Sequence, residues 1–196
     1  MIGDLVDGAT TSVGEQIRDC LLGVASCEVT SSKIYASPGD LGSMECNQDT
    51  CCVWNYVQEE LVSSFRSENG TCNRFARAAV RLGFHDAGAW SITSGYGGAD
   101  GSILLNSNEI SRSENSGLQD IHSQGLDILR RYRQYGVGAA DLVQFMHNVA
   151  TVVCPFGPRL LTFVGRRDNS SSPSGLLPDA QSPANKLIEL FSTTWP

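Results

Sequence analysis

Apolar residues recur every three or four positions through most of this chain, and no stretch keeps up the alternation of a half-buried strand. Cys52 to Phe65 carries Val53, Tyr56, Val57, Leu61 and Phe65 at helical spacing. Cys72 to Asp86 reads as a second helix. Leu118 to Tyr135 reads as a third, with Leu118, Ile121, Ile128, Leu129 and Tyr132 facing inward. Ala140 to Val153 is a fourth, largely apolar and central. A shorter helix over 11–23, capped by Thr10 or Thr11, groups Val13, Ile17 and Leu21. Asn185 to Phe191 begins a last one. The expected fold is all-α with little or no strand. Loops are expected where Ser, Gly and Pro concentrate, over 28–45 (with a turn at Pro38-Gly39), 88–101 and 168–183. Residues 1–45 read as an N-terminal extension of short helix and loop, and 46–196 as the main domain. A chain of 196 residues that is 41% hydrophobic can bury one substantial core.

Net charge is −7 and no basic stripe exists, which argues against nucleic acid or an anionic membrane as partner. No apolar run approaches the ~20 residues of a membrane helix. Met1 to Asp7 lacks the basic and apolar regions of a signal peptide. Seven cysteines point the other way, toward an oxidising compartment. None is spaced CxxC and only three histidines are present, so disulfides are a simpler reading than zinc. Asn69-Gly70-Thr71 and Asn169-Ser170-Ser171 are glycosylation acceptors that fit secretion.

The run Arg81-Leu82-Gly83-Phe84-His85-Asp86 carries the chemistry. Positions i, i+3 and i+4 share a helix face, so Arg81, Phe84 and His85 point into one space. A fixed cation, an aromatic wall and a titratable imidazole suit the polarising and splitting of a small oxygen compound. Alone, the same spacing also describes an amphipathic helix with a surface arginine and a hydrogen-bonded histidine. Gly97-Gly98-Ala99-Asp100-Gly101-Ser102 follows, then Glu114-Asn115. Together these segments resemble the distal side of secreted fungal haem peroxidases of the plant-peroxidase superfamily. The resemblance runs from about residue 46 to 192 and includes Ala89-Trp90-Ser91, Asp141-Leu142-Val143-Gln144-Phe145 and Gly175-Leu176-Leu177-Pro178-Asp179.

That resemblance implies roles. His85 is the base that takes and returns a proton, and Arg81 stabilises charge as the O–O bond polarises. Asn115, thirty residues after His85, accepts from the imidazole Nδ1–H, and Glu109 braces Asn115. Ser113 to Ser116 could equally cap the next helix. Phe84 and Pro178 lie against haem b. Asp86, Gly98, Asp100 and Ser102 are calcium ligands, a set of oxygens that suits that ion. The implied reaction is hydrogen-peroxide-dependent one-electron oxidation of a small phenolic or aromatic donor by a secreted, extracellular protein, monomeric when complete. The resemblance pairs Cys72 with Cys154 and Cys46 with Cys52. Cys20 with Cys27 is the remaining pair, and Cys51 is the odd cysteine. Manganese-oxidising members carry glutamates where this chain has Arg74 and Ala78, so that type of manganese site is not expected. The loop from Asp86 to Gly98 is short beside the lignin-degrading members.

The family's iron ligand lies in a proximal half that the sequence is expected to lack. His122 falls on a polar helix flank and reads as solvated. His147 lies among Phe145, Met146, Val149 and Val152 and reads as buried and hydrogen-bonded. The chain alone is therefore expected to take up haem poorly. Two other readings stand beside the enzyme. One is a haem-poor, non-enzymatic relative that binds calcium or a partner. The other is a metal phosphohydrolase built on His85-Asp86, for which the chain has few further ligands.

Overall fold

The computed structural model describes residues 8–29, 35–91 and 93–194. Met1 to Asp7, where the absence of a leader was read, lie outside them. The all-α expectation holds: the described residues form helices joined by loops, with isolated bridges only at Glu28–Leu160 and Arg66–Cys72.

Helix α1, Ser12–Leu21, starts where the Thr11 hydroxyl accepts from Gly14 N–H at 3.0 Å. It buries no residue, and a Cys20–Cys27 disulfide closes the turn after it. Val29 N–H then donates to Arg159 O at 2.6 Å and Leu161 N–H to Cys27 O at 2.9 Å, which ties this segment to the chain beyond α8 (Ala139–Val153). Residues 35–43 lie against α3, Thr50–Phe65: Tyr35 donates to Asp49 at 2.8 Å and Tyr56 to Gly39 O at 3.1 Å. The short α2, Met44–Gln48, is joined to α3 by Cys46–Cys52.

Helix α4, Arg74–Gly88, begins at Asn73, whose side chain accepts from Phe75 and Ala76 N–H and donates to Ser64 O at 2.7 Å. One asparagine thus starts α4 and fixes it to the end of α3. After the glycine-rich loop come α5, Ser102–Leu105, and α6, Ser107–Ile110. A 3₁₀ turn, Ser113–Asn115, precedes α7, Gln119–Tyr132. The last helix is α9, Ala184–Thr194.

Helices α3, α4, α7 and α8 enclose the core, in which Val57, Leu61, Phe65, Leu82, Ile121, Ile128, Leu142 and Met146 are fully buried. Each such side chain contributes about 1.5–3 kcal/mol by leaving water. Helix α8 is held at both ends. Asp168 accepts from Ala139 and Ala140 N–H at 3.1 and 2.9 Å, covering the orphan donors of its first turn. At the other end the Cys72–Cys154 disulfide ties it to α4. Cys51 is the free, exposed cysteine among the described residues.

Candidate active site

Helix α4 has two opposed faces. One packs on α8 through Gly83, against which the His147 ring lies, its Nδ1 bonded to Val80 O at 2.9 Å. The other carries Arg81, Phe84 and His85 toward the loop between α6 and α7.

The Arg81 guanidinium donates to Ser116 O at 2.8 Å and Glu114 O at 2.7 Å, and its Nε donates to His85 Nε2 at 3.2 Å. Arginine has only donors, so His85 Nε2 must be the unprotonated nitrogen. The ring proton therefore sits on Nδ1 and is donated to Asn115 Oδ1 at 2.7 Å. The Asn115 amide is oriented in turn, because its Nδ2 donates to Glu109 O at 2.8 Å. Burial pushes the His85 pKa down and Arg81 adds to this, with the Asn115 bond acting in the opposite sense. A neutral imidazole with its tautomer fixed and its basic nitrogen beside a cation can shuttle one proton. Phe84 stands exposed beside it, an uncovered aromatic surface on the same face.

Glu109 reaches Asn115 through its backbone carbonyl; its carboxylate is buried and directed toward Ser172 and Ser102. Residues 113–116 do not cap α7, whose start at Leu118 has no side-chain hydrogen bond. The two carbonyls that hold Arg81 had no signal in the sequence.

Behind His85, Asp86 is fully buried and accepts from Gly101 N–H at 3.2 Å, Ile103 N–H at 3.4 Å and Gln144 at 3.4 Å. Asp100 Oδ1 accepts from Ser102 N–H at 3.0 Å, and Asp100 N–H donates to Gly98 O at 2.7 Å. The loop therefore gathers Asp86, Gly98, Asp100 and Ser102. Burial raises the pKa of Asp86, Asp100 and Glu109, and for Asp86 the charge of Asp100 adds to it. Asp100 Oδ2, Ser102 Oγ and Glu109 Oε2 are buried together and make no hydrogen bond of good geometry, although Ser102 and Ser172 lie close enough to oppose the rise at Asp100 and Glu109. Among the described residues no group of three or more His, Cys, Asp or Glu forms a metal cluster. The donor set is instead carboxylate, hydroxyl and carbonyl oxygen, which suits a hard cation.

His122 departs from its solvated reading. It is half-buried, burial lowers its pKa, and its Nε2 lacks a partner. The polar residues flanking it on α7 concealed this. Pro178 lies half-buried in the strap between α8 and α9. Arg112 holds that strap, donating to Ser172 Oγ at 3.1 Å, Ser172 O at 3.0 Å and Pro173 O at 2.8 Å. Arg74 pairs with Asp120 at 2.6 Å.

A helical bundle that sets an arginine and a histidine of α4 against an asparagine of the turn before α7 defines a peroxidase type of architecture. The sequence pattern of the peroxidase family matches residues 57–194, and the chain belongs to that family. It is 36% identical over 156 residues to a peroxidase of Coprinopsis cinerea, covering 72% of this chain and 42% of that protein. It is 34% identical over 157 residues to a peroxidase of Arthromyces ramosus, covering 76% and 42%. Manganese peroxidase H4 of Phanerodontia chrysosporium is 36% identical over 147 residues, covering 72% and 37%. The chain thus spans about two fifths of the length of these relatives.

Proposed function

We propose that this chain forms the peroxide-handling side of a secreted haem peroxidase that uses hydrogen peroxide to oxidise small phenolic or other aromatic donors. The observation that carries this is the pair of bonds on His85: Nδ1 to Asn115 at 2.7 Å and Nε2 from Arg81 at 3.2 Å. His85 Nε2 takes a proton from the peroxide and returns it to the departing oxygen, which leaves as water. Arg81 stabilises the negative charge on that oxygen. Haem, when bound, supplies the electrons that cleave the O–O bond.

The exposed Phe84 beside Arg81 and His85 fits one face of a flat apolar cofactor, with Pro178 as a further contact. The fit is one-sided. His85 is engaged at both nitrogens, His147 Nδ1 is engaged by Val80 O, and His122 is half-buried on α7. With both ring nitrogens engaged, His85 is not available to ligate the cofactor. Asp86, Gly98, Asp100 and Ser102 would hold calcium, and the buried oxygens there support it. Arg74 and Ala78 stand where manganese-oxidising relatives carry glutamates, so we propose a donor other than manganese. Three disulfides support an extracellular site. No described helix is long and apolar enough to cross a membrane.

The test is peroxide-dependent oxidation of a small phenol by this chain joined to the remaining length of a peroxidase relative and loaded with haem. His85→Ala should lower the rate by about 10²–10⁴-fold. An unchanged rate would remove His85 from the chemistry. A second reading, a haem-poor protein that binds calcium, is favoured by the buried oxygens gathered at Asp100, Ser102 and Glu109. It predicts calcium binding with no saturable haem uptake.

A further inference from the structure

The loop that holds Arg81 and His85 is exposed on either side of Asn115. Between the buried Ile110 and Leu118 it exposes Ser111, Ser113, Ser116 and Gly117, and Gly117 adopts a left-handed backbone at φ +83°. A glycine in that conformation is the softest link of such a turn. It lies two residues from Asn115 and directly follows Ser116, whose carbonyl takes Arg81.

The side chain of Gln119 spans this soft link. Its Oε1 accepts from Gly117 N–H at 2.9 Å. Its Nε2 donates to Ile110 O at 3.2 Å and to Asn115 O at 3.3 Å. One amide thereby fixes the main chain before, within and after the turn that presents the Asn115 side chain and the Glu114 and Ser116 carbonyls. We propose that Gln119 is a positioning residue for the peroxide-handling pair: it locks the turn so that Asn115 holds His85 in one tautomer and the carbonyls hold Arg81. This rests on the reading of Arg81, His85 and Asn115 given above. Gln119 touches none of the reacting atoms and acts through Asn115.

The test uses the full chain labelled with ¹⁵N-histidine, with the His85 tautomer read from its ring nitrogens by NMR. Amide exchange at Gly117 is followed in parallel. Gln119→Met keeps the length and loses all three bonds. Gln119→Glu keeps the acceptor for Gly117 but sets a carboxylate against two carbonyls. A glutamate in the first turn of α7 favours the helix, so loss of the helix cannot account for its effect.

In the wild-type chain His85 should show a single tautomer protonated at Nδ1. Both variants should show averaged ring-nitrogen shifts, and Gln119→Met should also exchange Gly117 about tenfold faster, the order expected for losing its hydrogen bond. Their melting temperatures should stay within about 2 °C of wild type, as for most surface changes. Asn115→Leu, which removes the Nδ1 acceptor, serves as the reference for a ring held by Arg81 alone. An unchanged tautomer in both Gln119 variants overturns the proposal, even if Gly117 exchanges faster, because Gln119 is then a loop staple only. Mixed tautomers already in the wild-type chain would instead overturn the Arg81–His85–Asn115 reading, and this inference with it.

Discussion

Gly83 and His147 occupy space that only one side chain can fill: a Cβ at position 83 would lie 2.6 Å from His147 Cβ. The glycine inside the arginine–histidine run is therefore a packing requirement, set by α8 on the opposite face of α4. Gly83→Ala should destabilise the chain by about 1–3 kcal/mol through overpacking. His147→Gly, which removes the Cβ as well as the ring, should recover part of that loss in the double variant, as read by urea unfolding. Additive losses would show that the two positions do not compete.

Calcium should stabilise through the loop behind His85. At a hundred times its dissociation constant a ligand adds about 2.7 kcal/mol, or about 5–10 °C in a chain of this size. A chelator should lower the melting temperature by that much, and Asp100→Ala should remove the difference. Identical melting with and without chelator in the wild-type chain would count against the site.

The Cys72–Cys154 bond closes a separation of 82 residues. Replacing both cysteines by serine should cost about 2–5 kcal/mol. Peptide mapping without reductant should recover the pair linked and Cys51 carrying a free thiol. Finding Cys51 linked to Cys72 or Cys154 would refute the pairing.

His147 sets a pH dependence. Burial holds its pKa below the ordinary value of about 6.5, with the Val80 bond opposing this. Below pH ~6.5 the unfolded chain gains a proton that the folded chain resists. The stability tied to a neutral His147 is present above that pH and is lost as pH falls toward the folded value. In calcium-containing buffer the melting temperature should drop between pH 7 and pH 5, and His147→Gln should shrink the drop. An equal drop in both proteins would assign it elsewhere.

Haem uptake separates the two functional readings. The chain spans about two fifths of the length of its peroxidase relatives and offers one exposed aromatic face at Phe84, so by itself it should bind haem weakly. Stoichiometric haem with brisk peroxide turnover would contradict this and make His147 the first residue to mutate.

What the sequence made legible follows from length and period. Helices α3, α4, α7 and α8 each carry enough turns for an apolar stripe, and their bounds fall within two or three residues of expectation. Helix α4 starts at Arg74 and not at Cys72 because the side-chain cap at Asn73, not an apolar residue, decides it. Helices α2, α5 and α6 have four or five residues, too few for any period to show. Within the site, the shared face of Arg81, Phe84 and His85 is helix arithmetic. Glu109 is expected beside Asn115, but the sequence does not say which of its atoms makes the contact, and the structure gives it to the backbone carbonyl. His122 was misread because its burial comes from α5, an element its own neighbours do not report.

The three backbone carbonyls around the relay carry a consequence for drift. Arg81 hangs from the oxygens of Glu114 and Ser116, and Asn115 is oriented by the oxygen of Glu109. Main-chain atoms survive any substitution that keeps the path of the chain. Positions 114 and 116 are therefore free to vary in side chain among functional descendants, whereas insertion or deletion of a single residue between 109 and 116 would dismantle the relay at once. Selection at this loop acts on its length before its letters.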